Sequence, residues 1–336
     1  MPGKQHAPGR APAWESGLVI VDKPGGMTSH DVVGRLRRLA HTRRVGHAGT
    51  LDPMATGVLV IGIEKATRLL GYLALTEKTY QATIRLGQST TTDDAEGEPS
   101  GGGSAVAVTR QALDAEIAKL TGDIRQVPSS VSAIKVNGQR AYALTRAGQA
   151  PELAARPVTV HEFRVTATRP AGDFLDLDAT VRCSSGTYVR ALARDLGAAL
   201  GTGGHLTALR RTAVGPYTLT QAHPLKELEN QEHQPERVQL TPHPHPAPPD
   251  SPDDPPPAPV IPLAAAAAAA FPRLDLTAAD ARRLAQGARL AAPTPAVGSP
   301  IAAFAPDGTL VALVEVDGGR LRSLAVFTDA TALPET

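Results

Sequence analysis

Arg43-Arg44-Val45-Gly46-His47-Ala48-Gly49-Thr50-Leu51-Asp52-Pro53-Met54-Ala55-Thr56-Gly57 runs directly into the apolar stretch Val58-Leu59-Val60-Ile61-Gly62-Ile63. Glycines, a histidine and an Asp-Pro pair lie between two arginines and what reads as a buried strand. Taken singly these residues say little. Asp-Pro is a common turn starter, and a lone histidine is usually a satisfied polar residue. The combination of all of them in one string is what singles the stretch out.

Upstream, Gly17-Leu18-Val19-Ile20-Val21 reads as a short strand that runs into a turn at Asp22-Lys23-Pro24-Gly25-Gly26-Met27. Thr28-Ser29-His30-Asp31 has the form of a capping box, and Val32, Val33, Leu36, Leu39 and Ala40 follow at helical spacing. Arg35, Arg37 and Arg38 fall largely on the opposite side and join Arg43 and Arg44 in a basic edge leading to Asp52. Downstream, a helix is expected from Glu64. Residues 77–87 then alternate as a strand, with Tyr80, Ala82, Ile84 and Leu86 on the inward face. An inward tyrosine by itself reads as core filling. Residues 88–104 are polar and acidic and read as a mobile loop. An amphipathic helix over 109–121 and a hairpin signal at Asn137-Gly138, followed by a helical-looking segment, come next. Residues 157–181 alternate as strands, and Cys183 reads as a small buried hydrophobe. Ser184 to Gly197 reads as a strand-to-helix junction with hydroxyl caps, in which Arg190 alone would be a surface helix residue.

Composition sets the outer bounds. The chain has 336 residues, 42% of them hydrophobic, enough for one large domain and a smaller one. A single cysteine excludes an internal disulfide framework and a multi-cysteine zinc site and fits a reducing cytoplasm. No signal-peptide core or membrane-length apolar run is present. Net charge is only +1, yet residues 1–80 hold 11 Lys and Arg against 6 Asp and Glu, so this part could face phosphate. Residues 223–260 hold 12 prolines and four histidines (His223, His233, His243, His245), the composition of an extended linker; the irregular histidine spacing argues against a metal tract. Ala264–Ala270 is far too short to cross a bilayer. A short helix from Thr277 to Gly287 and a hairpin of 301–304 with 310–316, turning at Asp307-Gly308, close the chain.

The Asp52 string resembles the catalytic loop of the TruB family of tRNA pseudouridine synthases. So do, in the family's order, Val21-Asp22-Lys23-Pro24 to Ser29, the Lys78-Thr79-Tyr80 stretch, the run from Gln126 to Tyr142, Gly186-Thr187-Tyr188-Val189-Arg190, and Gly203 to Thr212. The resemblance implies an α+β fold: a mixed, largely antiparallel sheet with flanking helices, plus a small β-rich C-terminal domain that is similar to PUA RNA-binding domains. The expected organisation is a disordered leader over 1–16, a catalytic domain over 17–222, a Pro/His-rich linker over 223–262 and the PUA-like domain over 263–336. The implied reaction isomerises the T-loop uridine at position 55 of tRNA to pseudouridine, in the cytoplasm, without cofactor, metal or obligate protein partner. Asp52 matches the catalytic carboxylate, Tyr80 the tyrosine that stacks on the target base, and Arg190 the arginine paired with the carboxylate. Tyr188 would line the pocket, Lys23 would pack beside it, and Leu209 would join the substrate-binding set. His47, on the same loop as Asp52, would fill the space vacated by the flipped nucleotide, while backbone N–H groups of Gly46 and Gly49 would hold phosphates. Three routes stay open for Asp52: attack on the sugar, attack on the base, or proton removal after cleavage to a glycal. Two rival functions also stay open, an RNA-binding or tRNA-folding module without catalysis and a synthase acting on another RNA. A nucleotide-hydrolysing loop lacks its G-K-[ST], and zinc-dependent deamination lacks its cysteines.

Overall fold

The apolar runs on either side of the Asp52 loop pair with each other. In the computed structural model, which describes residues 14–130, 135–136, 139–140, 153–231, 259–293 and 298–334, β1 (Gly17–Lys23) lies antiparallel to β3 (Thr56–Ile63), with Val19 opposite Ile61 and Lys23 opposite Gly57. The other side of β3 is shared. β2 (Val45–Ala48) takes Val60 to Ile63, and β12 (Gly204–Val214) takes Thr56 and Gly57 in parallel. The Asp52 loop leaves the sheet where these two partners meet.

The large sheet is extended by β4 (Lys78–Leu86), β7 (Gly122–Gln126), β10 (Arg156–Ala171), β11 (Phe174–Cys183), β12 and β13 (Tyr217–Thr218), the last paired with β12, while β5 (Ser89–Thr90) with β6 (Pro99–Gly101) and β8 (Lys135–Val136) with β9 (Gln139–Arg140) form two separate two-stranded ladders. The central order is β14-β1-β3-β12-β4-β11-β10-β7, in which β14 is His223–Pro224; only β1–β14 and β3–β12 are parallel. This is the mixed, largely antiparallel sheet expected. Strict alternation along β4 buries Tyr80, Ala82, Ile84 and Leu86 on one face. Helix α1 (Ser29–Leu39) starts at the Thr28–Asp31 capping box and buries Val32, Val33, Leu36 and Leu39 against Val19, Leu59 and Ile61. A 3₁₀ turn over Glu64–Leu69 leads into α2 (Leu70–Leu73), and α3 (Arg110–Lys119) and α4 (Val189–Ala199) pack on the β4–β11 core. The Asn137-Gly138 signal corresponds to pairing of Lys135 with Arg140 and Val136 with Gln139; the helical-looking segment beyond it lies outside the described residues.

Three expectations need correction. The segment read as a mobile loop over 88–104 folds into the β5–β6 hairpin, and Thr90 and Asp94 are buried within it. Its polar composition hides the reason, which is ion pairing with arginines on α4. The leader does not extend to residue 16, because Trp14 packs against the α1 core and the Ser16 hydroxyl accepts from the Lys65 amide. The linker does not begin at 223 either. β14 pairs with β1, and α5 (Leu225–Gln231) inserts Leu225 and Leu228 into the same core. Two leucines three apart are a weak signal beside twelve prolines, but burying them on the sheet outweighs local composition. His233, His243 and His245 lie outside the described residues.

The chain returns at β15 (Ile261–Pro262), paired with the start of β1, and continues into α6 (Leu263–Ala270). The C-terminal sheet has the order β16-β18-β19-β20-β17: β16 is Arg273–Asp275, β17 Leu290–Ala291, β18 Ile301–Phe304, β19 Leu310–Asp317 and β20 Arg320–Val326. Helix α7 (Ala278–Ala285), capped by Thr277, packs on it. Leu18, Ile20 and Val60 of the large sheet share one apolar cluster with Ala266, Phe271, Phe304 and Leu313. The Tyr217 hydroxyl donates to the Ala266 carbonyl at 2.8 Å, and Arg68 donates to the Val326 carbonyl.

Candidate active site

The Asp52 loop is tied down largely by groups from elsewhere in the sequence. The Ser29 hydroxyl accepts from the Leu51 amide at 2.9 Å and donates to the Leu51 carbonyl at 3.1 Å. The Asp52 carbonyl accepts from the Ala55 amide, and the Pro53 carbonyl from the Gly26 amide and from Lys23 Nζ. On the other side Arg211, wholly buried on β12, donates to the carbonyls of Val58 at 2.8 Å, Gly49 at 3.0 Å and Thr50 at 3.4 Å. Val58 sits between the parts of β3 paired to β12 and to β2, so the guanidinium satisfies a carbonyl at the handover. The approach of the strands there is very close: a Cβ on Gly57, at φ +97°, would lie 2.2 Å from the Arg211 carbonyl.

Held in this way, Asp52 points its carboxylate to the surface of the loop, with the side chain 36% exposed, and Arg190 Nε donates to its Oδ2 at 3.0 Å. Arg190 is not a surface helix residue. Its side chain is 4% exposed, it faces Asp94 Oδ2 at 3.5 Å, and its Nη1 donates to the Thr92 carbonyl at 2.8 Å. The β5–β6 hairpin therefore forms one wall of the site. Burial raises the Glu96 carboxyl in the same hairpin above its usual range, and the charges of Asp94 and Asp52 add to the shift while Arg190 opposes it.

The other expected residues fall into two groups. Tyr80, 7% exposed, lies opposite Arg211 in the β4–β12 ladder, and Leu209 lies opposite Ala82; both belong to the cluster containing Leu51 and Ala55. Burial pushes the Tyr80 phenol above its ordinary value, with Arg211 opposing, so it is protonated at neutral pH. Tyr188 is half-buried and is the N-cap of α4. It carries no side-chain cap, contrary to the expected hydroxyl caps. Instead Gln126 holds its backbone: Tyr188 N–H donates to Gln126 Oε1 at 2.9 Å and Gln126 Nε2 donates to the Tyr188 carbonyl at 3.1 Å.

Lys23, His47 and Gly46 differ from the expectation. Lys23 is fully buried and its ammonium donates to the carbonyls of Pro24, Met27 and Pro53, so it shapes the loop and has no face left for a substrate. Burial lowers its pKa to about 8, against the pull of Asp52. His47 lies on β2 opposite Ile61, not on the loop; its Nδ1 is buried without a hydrogen-bond partner among the described residues. Burial and the charge of Arg211 lower its pKa, so the imidazole is neutral at pH 7. Gly46 sits opposite Gly62 within the ladder, two residues on from the Glu64-to-Arg44 backbone bond, and its amide is thereby committed to strand pairing and not to phosphate. Gly49, at φ +83°, turns its carbonyl to Arg211. In the basic edge, Arg35 pairs with Glu229, Arg37 donates to the Val45 carbonyl and Arg44 pairs with Glu64, leaving Arg38 and Arg43 exposed.

Ser29, Asp94, Gln126 and Arg211 were not among the expected site residues. Ser29 and Arg211 stand inside stretches already singled out, and their signal was a hydroxyl after a turn and a doubled arginine. Gln126 opens the run from Gln126 to Tyr142, but nothing local marks it apart from its neighbours there, and Asp94 had no signal, because its partner Arg190 is distant in sequence.

Known proteins resemble this chain along nearly its whole length. Residues 37–189 match the model of the TruB family pseudouridylate synthase N-terminal domain. Residues 190–244 match the tRNA pseudouridylate synthase B C-terminal domain, and residues 271–328 the C-terminal domain of tRNA pseudouridine synthase II. The chain is 57% identical over 328 residues to tRNA pseudouridine synthase B of Arthrobacter sp. (strain FB24), covering 95% of this chain and 99% of that protein. It is 58% identical over 315 residues to the protein of the same description from Thermobifida fusca (strain YX), covering 93% and 98%. Among solved structures, a chain of a Cbf5-Nop10-Gar1 complex superposes with a TM-score of 0.69 at 24% identity, covering 95% of this chain and 87% of that one, a likeness of fold.

Proposed function

Since the chain belongs to the TruB family of pseudouridine synthases and is an isomerase that forms pseudouridine in tRNA, we propose that Asp52 carries the reaction, oriented by Arg190, on the T-loop uridine at position 55. The observation that carries this reading is the 3.0 Å bond from a buried guanidinium to a carboxylate that is itself open to solvent. The bond aims the carboxylate through Oδ2 and leaves Oδ1 to face the substrate.

The reaction breaks the N1–C1′ bond, turns the uracil and forms a C5–C1′ bond; N1 gains a proton and C5 loses one, so no electrons are gained or lost. Positive character develops on the sugar as the glycosidic bond lengthens, and a carboxylate at that position stabilises it. Whether the carboxylate then bonds to the sugar, bonds to the base or takes a sugar proton, the requirement for an ionised Asp52 is the same. Flipping the uridine out of the folded loop costs a few kcal/mol, and stacking on an aromatic ring returns about 1–3 kcal/mol. Tyr80, buried beside the Asp52 loop in a chain with 3% aromatic residues, is the platform that we assign to it, with Leu209 and Tyr188 lining the same pocket. His47, neutral and partly buried, fills space beside the flipped nucleotide. Arg38 and Arg43 meet the phosphates of the T arm, and the C-terminal unit extends the RNA-binding surface.

Release of tritium from C5-labelled uridine in an unmodified tRNA transcript tests the reading. Stoichiometric release that disappears when uridine 55 is replaced by cytidine is the expected result. Binding without release, or release that survives the replacement, would overturn the assignment of reaction or site.

A further inference from the structure

Arg190 can orient Asp52 only if the first turn of α4 is held in place, and that turn lacks its usual side-chain cap. Gln126, the last residue of β7 and 2% exposed, supplies the missing partners by bonding both backbone groups of Tyr188. Buried primary amides are retained where both donor and acceptor are used, and here both are used on the residue two before Arg190. One turn beyond Arg190, Arg194 Nη2 donates to the carbonyl of Val127 at 2.7 Å, and its Nη1 faces Asp93 at 3.2 Å. The end of β7 therefore grips α4 on both sides of Arg190. Val189 and Leu192 pack this helix into the core, and the directional bonds from Gln126 add a fixed register at its first turn.

We propose that Gln126 is a positioning residue for pseudouridine formation, fixing the first turn of α4 through the Tyr188 backbone and thereby the reach of Arg190 to Asp52. This rests on the reading of Arg190 given above. The amide of Gln126 bonds the Tyr188 backbone and not the Asp52 carboxylate, so it acts through α4. Its effect appears in the chemical step, because misplacing a catalytic group by about 1 Å can cost ~100-fold in rate.

The test is single-turnover tritium release at saturating tRNA, with tRNA affinity measured alongside. Gln126→Met keeps the length of the side chain and removes both hydrogen bonds. It is expected to slow the chemical step about tenfold and to change affinity by less than about threefold. In an Arg190→Lys background the same substitution is expected to cost less than about twofold, because the arm being positioned is already gone. A penalty of equal size in both backgrounds marks a general structural role and overturns the proposal, as does a loss confined to affinity. If Gln126→Met does not fold, Gln126→Glu, which keeps the acceptor for the Tyr188 amide and removes the donor, is carried through the same cycle with the same criteria. A wild-type rate in Arg190→Lys alone overturns the Arg190 reading and the proposal with it; a slow Arg190→Lys with an undiminished Gln126 penalty overturns only the proposal.

Discussion

Lys23 holds an ammonium group where no solvent reaches, with one N–H for each of three carbonyls. Burial lowers its pKa from 10.5 to about 8, so in the folded protein the proton is lost well before it would be lost from an unfolded chain. The charged form is the disfavoured one: its destabilising effect is complete below pH 8 and shrinks as pH rises from 8 toward 10.5. A neutral amine has only two N–H bonds, so one of the three carbonyls must be released, and the bond to Pro53 is the longest at 3.1 Å. The single-turnover rate is therefore expected to fall along an alkaline limb near pH 8 with no parallel drop in melting temperature. Lys78, also lowered to about 8, serves two carbonyls and can keep both as an amine. A rate that stays flat to pH 9.5, or one that falls only with melting, would contradict this account of Lys23. At Asp52, replacement by asparagine keeps shape and removes charge; we expect no detectable product and tRNA affinity within about tenfold of wild type. Turnover by Asp52→Asn, measured by tritium release, would remove the carboxylate from the mechanism.

Strands and loops around the site depend on each other over long stretches of sequence. The handover on β3 requires Gly57, because any Cβ would strike the Arg211 carbonyl and the backbone is left-handed there. Gly57→Ala is expected to cost about 1–3 kcal/mol or more, lowering the melting temperature by several degrees. It should also slow catalysis, since Arg211 holds Gly49 and Thr50 ahead of Asp52. A stable, fully active Gly57→Ala protein would show that the crossing can relax. The β5–β6 hairpin shows why one wall of the site was not legible. Its run of Thr and Asp has no apolar periodicity, and its order comes from Arg190 and Arg194 about a hundred residues later. β4, by contrast, was legible because a strand half-buried on one face writes that face into every second residue.

The two sheets do not have separate cores where they meet. Leu18, Ile20 and Val60 on one side and Phe271, Phe304 and Leu313 on the other are buried in a single cluster, and β15 ties the returning chain to β1. Calorimetric unfolding should accordingly give one cooperative transition spanning both units. Two resolved transitions would mean that the shared cluster contributes little. Deletion of residues 223–336 removes β14, α5 and β15 together with the C-terminal unit and exposes that apolar face, so the truncated chain is expected to melt at a lower temperature and to aggregate. Solubility and a melting curve like that of the full chain would refute this.

The family and the apolar faces of the strands are legible in the residues, because strand alternation, turn chemistry and a dense motif string are local properties of a chain; the roles proposed for Asp52, Tyr80 and Arg190 come from the resemblance that string carries, since Tyr80 alone reads as core filling and Arg190 alone as a surface helix residue. The boundaries of the leader and linker, the role of Lys23, and the participation of Ser29, Asp94, Gln126 and Arg211 do not. Each of these depends on a hydrogen bond or a buried contact between segments far apart in sequence. Composition says nothing of which distant carbonyl, guanidinium or leucine will be near once the sheet has closed.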